Sequence, residues 1–291
     1  MGDATLKPAK LSCISPYIDI IGCNYADSSE YTTVRSLYPD MPIMGTEAYS
    51  SLHTRGIYMN NDASCFCTEL DERKVSWGDY FWEVCDMWYG SNANAGAFMW
   101  TGFDYLGEPT PFADSKYYPA KSSQFGVFDQ AGFPKDAAHM FKSIWSGEPT
   151  VHIGITDWDS WTEGEQHAVR VYSNQPSVEL FLNGASLGVA STKSSMHAFE
   201  YSVTYASGVL SCIAYSADGN VAAAESLSTS SKAVSKLELA PDSDVVDTDE
   251  GFSFVACQLL DSNGVPVPTA CDEVQFEVSG GTCYGTENGR P

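Results

Sequence analysis

The stretch Pro42–Tyr49 contains the residue whose type and position could do chemistry, the carboxylate Glu47. An apolar run over residues 41–44 precedes it, followed by Gly45 and Thr46. Parallel strands that are covered on both faces read as continuous apolar runs of this kind. In a (β/α)8 barrel, the residues just past the end of such a strand face the substrate. A Glu at this point would be held by the strand and reached by solvent. The alternative is a Glu that only flanks an ordinary strand.

Further candidate side chains follow two other short apolar runs. Asn24 and Tyr25 come at the end of a run over residues 18–23, and Trp100 ends a later one. The turn-rich segment after it adds two carboxylates, Asp104 and Glu108. For Tyr25 and Trp100 the alternative is packing in a core, as large aromatic side chains commonly do.

Three short strands with helices between them would position these side chains. We predict parallel strands near residues 18–23, 42–46 and 96–101, because strands about twenty residues apart with a helix between them fit βα units. A polar excursion over residues 48–76 interrupts this pattern. Loops of that length in a compact domain are usually functional or mobile.

The segment after the excursion predicts a helix with Ser76 as its N-cap. Its apolar residues recur at spacings of three and four, and they are Trp77, Tyr80, Phe81, Val84, Met87 and Trp88. We interpret this stripe as core packing. A further helix is predicted over Ala137–Trp145, after Pro134.

The pattern changes to short alternating strands after Gly147. Asn183-Gly184 and Asp218-Gly219 have the residue types of tight hairpin turns. Residues 150–230 are therefore predicted to form an antiparallel β-sandwich. The segment after Lys232 begins a second sandwich that has too few strands to close.

Composition and charge disfavour several classes of partner. The chain has 291 residues, 43% of them hydrophobic, with a net charge of −23 and a pI near 4.3. We expect neither nucleic acid nor an anionic membrane surface as a partner, because phosphate binding needs a basic face. A neutral ligand such as a sugar is compatible with this charge. No apolar run approaches the length that spans a membrane.

Cysteine usage predicts no cofactor, and the N-terminus predicts no signal peptide. The nine cysteines are scattered, and no His cluster accompanies any pair, so we expect neither a metal site nor an obligatory disulfide framework. The first residues lack the apolar segment of a signal peptide. Localisation and oligomeric state stay open.

The chain resembles glycoside hydrolase family 2, the β-galactosidase and β-glucuronidase group. Four stretches carry this resemblance in the family's order and spacing: Tyr17–Tyr25, Met44–Glu47, Trp100–Pro109 and Gly126–Asp136. The stretch Val178–Gly188 is similar to the accessory domain that follows the barrel in many bacterial members.

The resemblance implies a role for each candidate residue. Glu47 would be the catalytic nucleophile at the end of the seventh barrel strand. Asn24 and Tyr25 would end the sixth strand, with Tyr25 bonded to the nucleophile, and Trp100 would end the eighth and form the floor of the sugar subsite. Sugar hydroxyls or the rim of the site would be met by Asp104 or Glu108. A retaining glycosidase needs two carboxyl groups about 5 Å apart, one of which attacks while the other protonates the leaving oxygen.

One departure from the family pattern is large. The family's acid/base Glu lies in an Asn-Glu pair, and this sequence contains no such pair. The resemblance therefore implies a C-terminal fragment of a multidomain α/β and all-β protein. We expect a partial TIM barrel with strands six to eight over residues 1–146, an immunoglobulin-like β-sandwich over 147–230 and a partial immunoglobulin-like domain over 231–291.

Two functions compete on this basis. The first is a retaining β-glycosidase of the β-galactosidase type, of which this chain carries the nucleophile and is inactive alone. The second is a carbohydrate-binding or adhesive sandwich module with a vestigial barrel piece. A binding module has no reason to end an apolar strand on Thr46-Glu47, which favours the enzyme. Should the chain prove active alone, Glu69 or Glu108 is the first acid to test.

Overall fold

The computed structural model describes residues 15–89, 94–117, 120–246 and 251–290. Strands predominate, with few helices. Contacts divide the chain into two compact units, the first formed mainly by residues up to Lys142 and the second by Ser143–Ser194 and Ala198–Tyr284. None of the helices in the described ranges has the length and apolar character that a membrane span requires.

The first unit is built on a three-stranded parallel sheet with helical crossovers. Its elements in chain order are β1 (Ile21–Asn24), α1 (Ser28–Leu37), β2 (Ile43–Tyr49), α2 (Phe81–Tyr89), β3 (Asn94–Trp100) and α3 (Asp136–Trp145). The sheet order is β1-β2-β3, and both strand pairs are parallel. The prediction of three parallel strands is confirmed.

The strand ends differ from the predicted bounds in a way that matters for the site. β1 begins only at Ile21, whereas β2 continues to Tyr49. Glu47 therefore lies inside β2 and not just past it. A bulge after Cys23 places Asn24 opposite Glu47, and the Tyr25 amide donates to the Glu47 carbonyl at 2.8 Å.

Helix α1 begins at a complete capping box. The Asp27 side chain accepts from the Ser29 and Glu30 amides, and the Glu30 carboxylate accepts from the Asp27 amide in return. These bonds satisfy amides at the helix start that have no partner within the helix. The first crossover is therefore specified by the local sequence.

Helix α2 begins later than predicted, at Phe81 and not near Ser76. The Phe81 amide donates to the buried Asp71 carboxylate at 3.2 Å, which satisfies the start of the helix there. Trp77 instead lies in a turn that is closed by a 3.2 Å bond from the Gly78 amide to the Val75 carbonyl. Its side chain is 53% exposed, so the prediction that Trp77 packs in the core was wrong.

The polar excursion between β2 and α2 is folded and packs in an apolar cluster. Leu52, Cys67, Val75, Phe112 and Phe125 are buried together. Residues from both long connections of the unit meet in this cluster. The excursion is therefore a fixed part of the structure at the end of the parallel strands.

Residues 151–228 of the second unit form two antiparallel sheets. Their strands are β4 (Val151–Gly154), β5 (Gln166–Ser173), β6 (Ser177–Leu182), β7 (Ala185–Ala190), β8 (Phe199–Thr204), β9 (Val209–Tyr215) and β10 (Val221–Ser228). The sheet orders are β4-β5-β8 and β10-β9-β6-β7. The buried residues alternate along the strands, as in Val169 and Val171 or Val178 and Leu180. This is the pattern of antiparallel sheets that bury one face and expose the other.

Two further strands follow in the same unit. β11 (Lys236–Pro241) and β12 (Val255–Leu260) pair antiparallel and form a two-stranded sheet. The apolar side chains Leu237, Leu239 and Val255 are about half exposed there.

Candidate active site

The carboxylate of Glu47 lies beside the end of β1. The Asn24 amide nitrogen donates to Glu47 Oε2 at 3.3 Å, and the Thr46 hydroxyl donates to Asn24 Oδ1 at 2.7 Å. The Thr46 bond fixes the amide so that its nitrogen, the donor, points at the carboxylate. Since Glu47 is only half-buried, it is held on one side and open on the other.

Tyr25 lies next to this pair. Its backbone is left-handed, with a φ of 49°, and its hydroxyl lies 2.6 Å from the Ser50 hydroxyl. Burial raises the pKa of Tyr25 above its usual range, the bond with Ser50 opposes this, and the Glu47 and Glu108 carboxylates raise the pKa further. Tyr25 is thus a neutral donor close to two carboxylates.

The segment after Glu47 has an unusual backbone that aims Ser50 at Tyr25. Tyr49 and Ser50 both have positive φ, 91° and 73°, a region that non-glycine residues rarely occupy. Buried side-chain bonds hold this segment: Tyr49 OH meets His53 Nδ1 at 3.2 Å, and His53 Nε2 meets Asp71 Oδ1 at 3.0 Å. Strained backbone of this kind persists when the surrounding structure over-determines it.

Trp100 belongs to a second chain of hydrogen bonds, at the end of β3. Its indole nitrogen donates to the Tyr105 hydroxyl at 3.3 Å, and Tyr105 donates to Glu108 Oε2 at 2.5 Å. Burial and the bond to Glu108 raise the pKa of Tyr105 to about 12, and the Glu47 carboxylate adds to this shift. Because Trp100 is opposite Tyr49 in the sheet, these groups lie at the same edge as Glu47.

Asp104 does not join this group. It is buried, with Lys135 Nζ 2.7 Å from Oδ2 and the Gly126 amide donating to Oδ1 at 2.7 Å. Burial raises the pKa of Asp104, while Lys135 and these bonds lower it. Lys135 also donates to the His53 carbonyl at 2.6 Å. The Asp104 carboxylate is therefore occupied inside the unit and not presented to a ligand.

Glu69 is likewise remote from solvent, with 2% of its surface exposed. Its oxygens accept from the Gly56 and Asp136 amides. Burial, and then the neighbouring Asp136 carboxyl, raise the pKa of Glu69 to about 8. A side chain enclosed in this way cannot protonate a leaving group. Glu108 is exposed and stays the reachable carboxylate of the two.

Sequence reasoning missed Tyr105 and Ser50. Tyr105 lies inside the stretch Trp100–Pro109, so its phenol could have been considered with Trp100. Ser50 had no signal, since its role depends on two left-handed residues. In the described ranges, no cluster of three His, Cys, Asp or Glu side chains could hold a metal ion, and none of the cysteines there forms a disulfide.

Comparisons with known proteins identify the class. A family model described as glycoside hydrolase family 2 C-terminal domain 5 matches residues 237–291, and a model for a domain of unknown function (DUF4982) matches residues 164–223. β-Galactosidase BoGH2A of Bacteroides ovatus is 33% identical over 296 residues, covering 95% of this chain and 34% of its own length. A putative β-glucuronidase of Formosa agariphila is 32% identical over 223 residues, covering 72% and 20%.

Solved structures share the fold. A β-glycosidase from Bacteroides vulgatus superposes with a TM-score of 0.73 at 21% identity, over 91% of this chain and 40% of that one. The relatives are glycoside hydrolases by name. The chain belongs to glycoside hydrolase family 2, and the resemblance seen in its sequence is confirmed. It spans 34% of the length of the Bacteroides ovatus relative.

Proposed function

We propose that this chain is the nucleophile-bearing part of a retaining β-glycosidase of the β-galactosidase type. The observation that carries the proposal is the carboxylate of Glu47, bonded to Asn24 and beside Tyr25 at the ends of two parallel strands. The parallel sheet of β1, β2 and β3 then corresponds to strands six to eight of a (β/α)8 barrel. Active sites of such barrels lie at this end of the strands.

In this proposal Glu47 attacks the anomeric carbon and forms a covalent glycosyl-enzyme, which water then hydrolyses. Asn24 donates to one carboxylate oxygen and leaves the other available for attack. Tyr25, held by Ser50, offers its hydroxyl hydrogen to the carboxylate, and a hydrogen bond to the charged form favours ionisation. The leaving oxygen takes its proton from an acid outside this chain.

The other candidates take roles that match their exposure. Trp100 forms the floor of the sugar subsite, because its indole is partly exposed and its nitrogen is fixed by Tyr105. Glu108, exposed beside Tyr105, accepts hydrogen bonds from sugar hydroxyls at the rim. Asp104 has a structural role, the pairing with Lys135, and not the predicted contact with sugar hydroxyls.

The domain assignment is part of the same proposal. Residues 1–146 form the last part of the catalytic barrel, 147–230 an accessory β-sandwich and 231–291 part of an immunoglobulin-like domain. The two antiparallel sheets formed by residues 151–228 support the second assignment. The match of residues 237–291 to a C-terminal domain of the family supports the third.

The proposal is tested in the full-length enzyme that would contain this chain. A 2-fluoro glycoside slows breakdown of the covalent intermediate, so mass spectrometry of the digested protein should find the label on Glu47. Glu47→Gln should abolish hydrolysis of aryl β-glycosides and preserve the fold. Glu72→Gln, an exposed control outside the site, should leave the hydrolysis unchanged. Labelling of another residue contradicts the assignment of the nucleophile.

The isolated chain gives a second test. Without the acid, the rate of hydrolysis falls by about 10²- to 10⁴-fold from the missing proton transfer alone. The sugar contacts that the rest of the enzyme would make are lost as well. These 291 residues should therefore show no measurable hydrolysis of aryl β-galactosides or β-glucuronides. Robust turnover would mean that an acid within the chain was missed, and Glu108→Gln would then be the variant to assay.

A further inference from the structure

The turn that carries Trp77 is fastened to the backbone just after Glu47. The Asp79 amide donates to the Tyr49 carbonyl at 2.7 Å, and the Val75 amide donates to the Ser50 carbonyl at 3.4 Å. Ser51 and Lys74 form an antiparallel bridge immediately beside them. The turn is thus an extra strand-like contact at the end of β2, where the proposed catalytic carboxylate lies.

Gly78 shows how closely the turn approaches. A Cβ added there would lie 2.6 Å from the Tyr49 carbonyl oxygen and 2.8 Å from Ser50 Cβ. Real Cβ atoms do not come so near, so only glycine permits this approach. The backbone of the residue after Trp77 is therefore in close contact with Ser50, whose hydroxyl bonds to Tyr25.

The charged neighbours of the turn pair with one another. Lys74 Nζ lies 3.1 Å from Glu83 Oε2 and 3.9 Å from Asp79 Oδ1, and Glu83 also accepts from the Tyr80 amide at 3.0 Å. These bonds brace both sides of the turn. The Trp77 indole, which is 53% exposed, is the large apolar surface of the turn.

An exposed aromatic ring on a turn whose backbone is bonded to the segment after Glu47 is suited to stacking on a sugar. Tryptophan offers a wide apolar face at little cost in conformational entropy, and such pre-organisation favours binding. Trp100 occupies the floor of the subsite at the strand ends. Trp77 lies beyond the end of β2, on the connection that follows it and at the same end of the strands as Glu47.

We propose that Trp77 is a binding residue of the leaving-group subsite and stacks on a sugar there. The inference rests on the proposed glycosidase function and adds the class of leaving group, a second sugar ring and not a small aglycone. The enzyme would then favour oligosaccharides. Its specificity would come partly from the turn after the nucleophile strand.

The test compares two substrates in the full-length enzyme. Lactose has a sugar leaving group, whereas β-galactosyl fluoride has none that could stack. Trp77→Ala should lower kcat/KM for lactose roughly 10-fold, the order found when a stacked aromatic ring is truncated, and leave the fluoride within about twofold. Trp77→Phe should restore most of the loss. The control is Tyr17→Ala, which removes an aromatic ring of 86% exposure that precedes β1, at the opposite end of the strands.

The outcomes separate this inference from the function on which it rests. Equal losses for both substrates, or no loss for lactose, would overturn the role of Trp77 while the glycosidase assignment stands. A wild-type enzyme that cleaves an aryl β-glycoside but not lactose would overturn the sugar leaving group. One that cleaves neither substrate and no aryl β-glycoside would overturn the proposed function itself. Unchanged thermal melting of Trp77→Ala shows that any loss is one of binding, since the side chain is exposed.

Discussion

The two units bury different kinds of side chain. In the first unit, Lys135, Asp104, Glu69, His53 and Asp71 are all buried and bonded to one another or to backbone groups. In the second unit, the buried side chains of the antiparallel strands are mainly apolar, with Leu180, Val171 and Phe199 among them.

The difference follows from what each unit has to enclose. Antiparallel strands satisfy their backbone groups with each other, so apolar side chains can fill the space between them. The first unit instead folds long connections over the ends of three parallel strands. Loop carbonyls such as those of His53 and Gln124 need donors, and Lys135 supplies them. Buried polar groups must be paired, and here the pairing holds the proposed site in place.

The largest expected effect tests the polar core of the first unit. Lys135→Met leaves the Asp104 carboxylate buried without its partner, and breaking a buried pair in this way costs about 3–5 kcal/mol. Urea unfolding of the isolated chain should show this loss in the first unit. Lys142→Met, at an exposed lysine on α3, serves as the control. Equal unfolding midpoints for the two variants would contradict the assigned role of Lys135.

A large apolar truncation tests the second unit. Leu180 is fully buried on β6, and Leu→Ala at such positions costs about 2–5 kcal/mol through lost burial and the cavity left behind. Hydrogen exchange should show reduced protection across the antiparallel sheets, with the parallel strands unaffected. Leu187→Ala, at a partly exposed leucine on β7, should have little effect. If protection falls in both units alike, they do not unfold independently.

The pH dependence of the first unit gives a smaller effect. The pKa of Glu69 rises from 4.5 in the unfolded chain to about 8 in the folded one, so folding favours the protonated carboxyl. The resulting stabilisation is fully present below pH 4.5 and is lost as the pH rises through 8. The side chain of Glu69→Gln stays neutral, so this variant should flatten the pH dependence of the melting temperature of the first unit across this window. The exposed control Glu72→Gln should keep the slope of the wild type.

The smallest effect concerns a local signal. Asp27→Ala removes the cap of α1 and should destabilise the first unit by about 1 kcal/mol. Asp40→Ala, at an exposed aspartate outside any helix, should change the stability much less. Chemical denaturation of the isolated chain measures both. A cap variant indistinguishable from Asp40→Ala would mean that tertiary packing, and not the capping box, sets the start of α1.

The sequence by itself determined the elements whose signals are local. Continuous apolar runs predicted three parallel strands, and the structure has them. The hairpin turn at Asn183-Gly184 was readable because both residues have positive φ, 51° and 79°, which these types tolerate. The order of motifs was enough to recognise the family and to single out Glu47, Asn24 and Tyr25.

Only the tertiary structure decided how the connections between those elements fold. An apolar stripe could not show that Asp71 would cap α2 at Phe81 and leave Trp77 in an exposed turn. The motif around Trp100 could not show that Asp104 would form an ion pair with Lys135. Nor did any local pattern show that the Ser50 hydroxyl would bond to Tyr25. Helix and strand periodicity comes from backbone geometry within a few residues. The partners of a buried charge come from distant parts of the chain, and they are set only when those parts pack together.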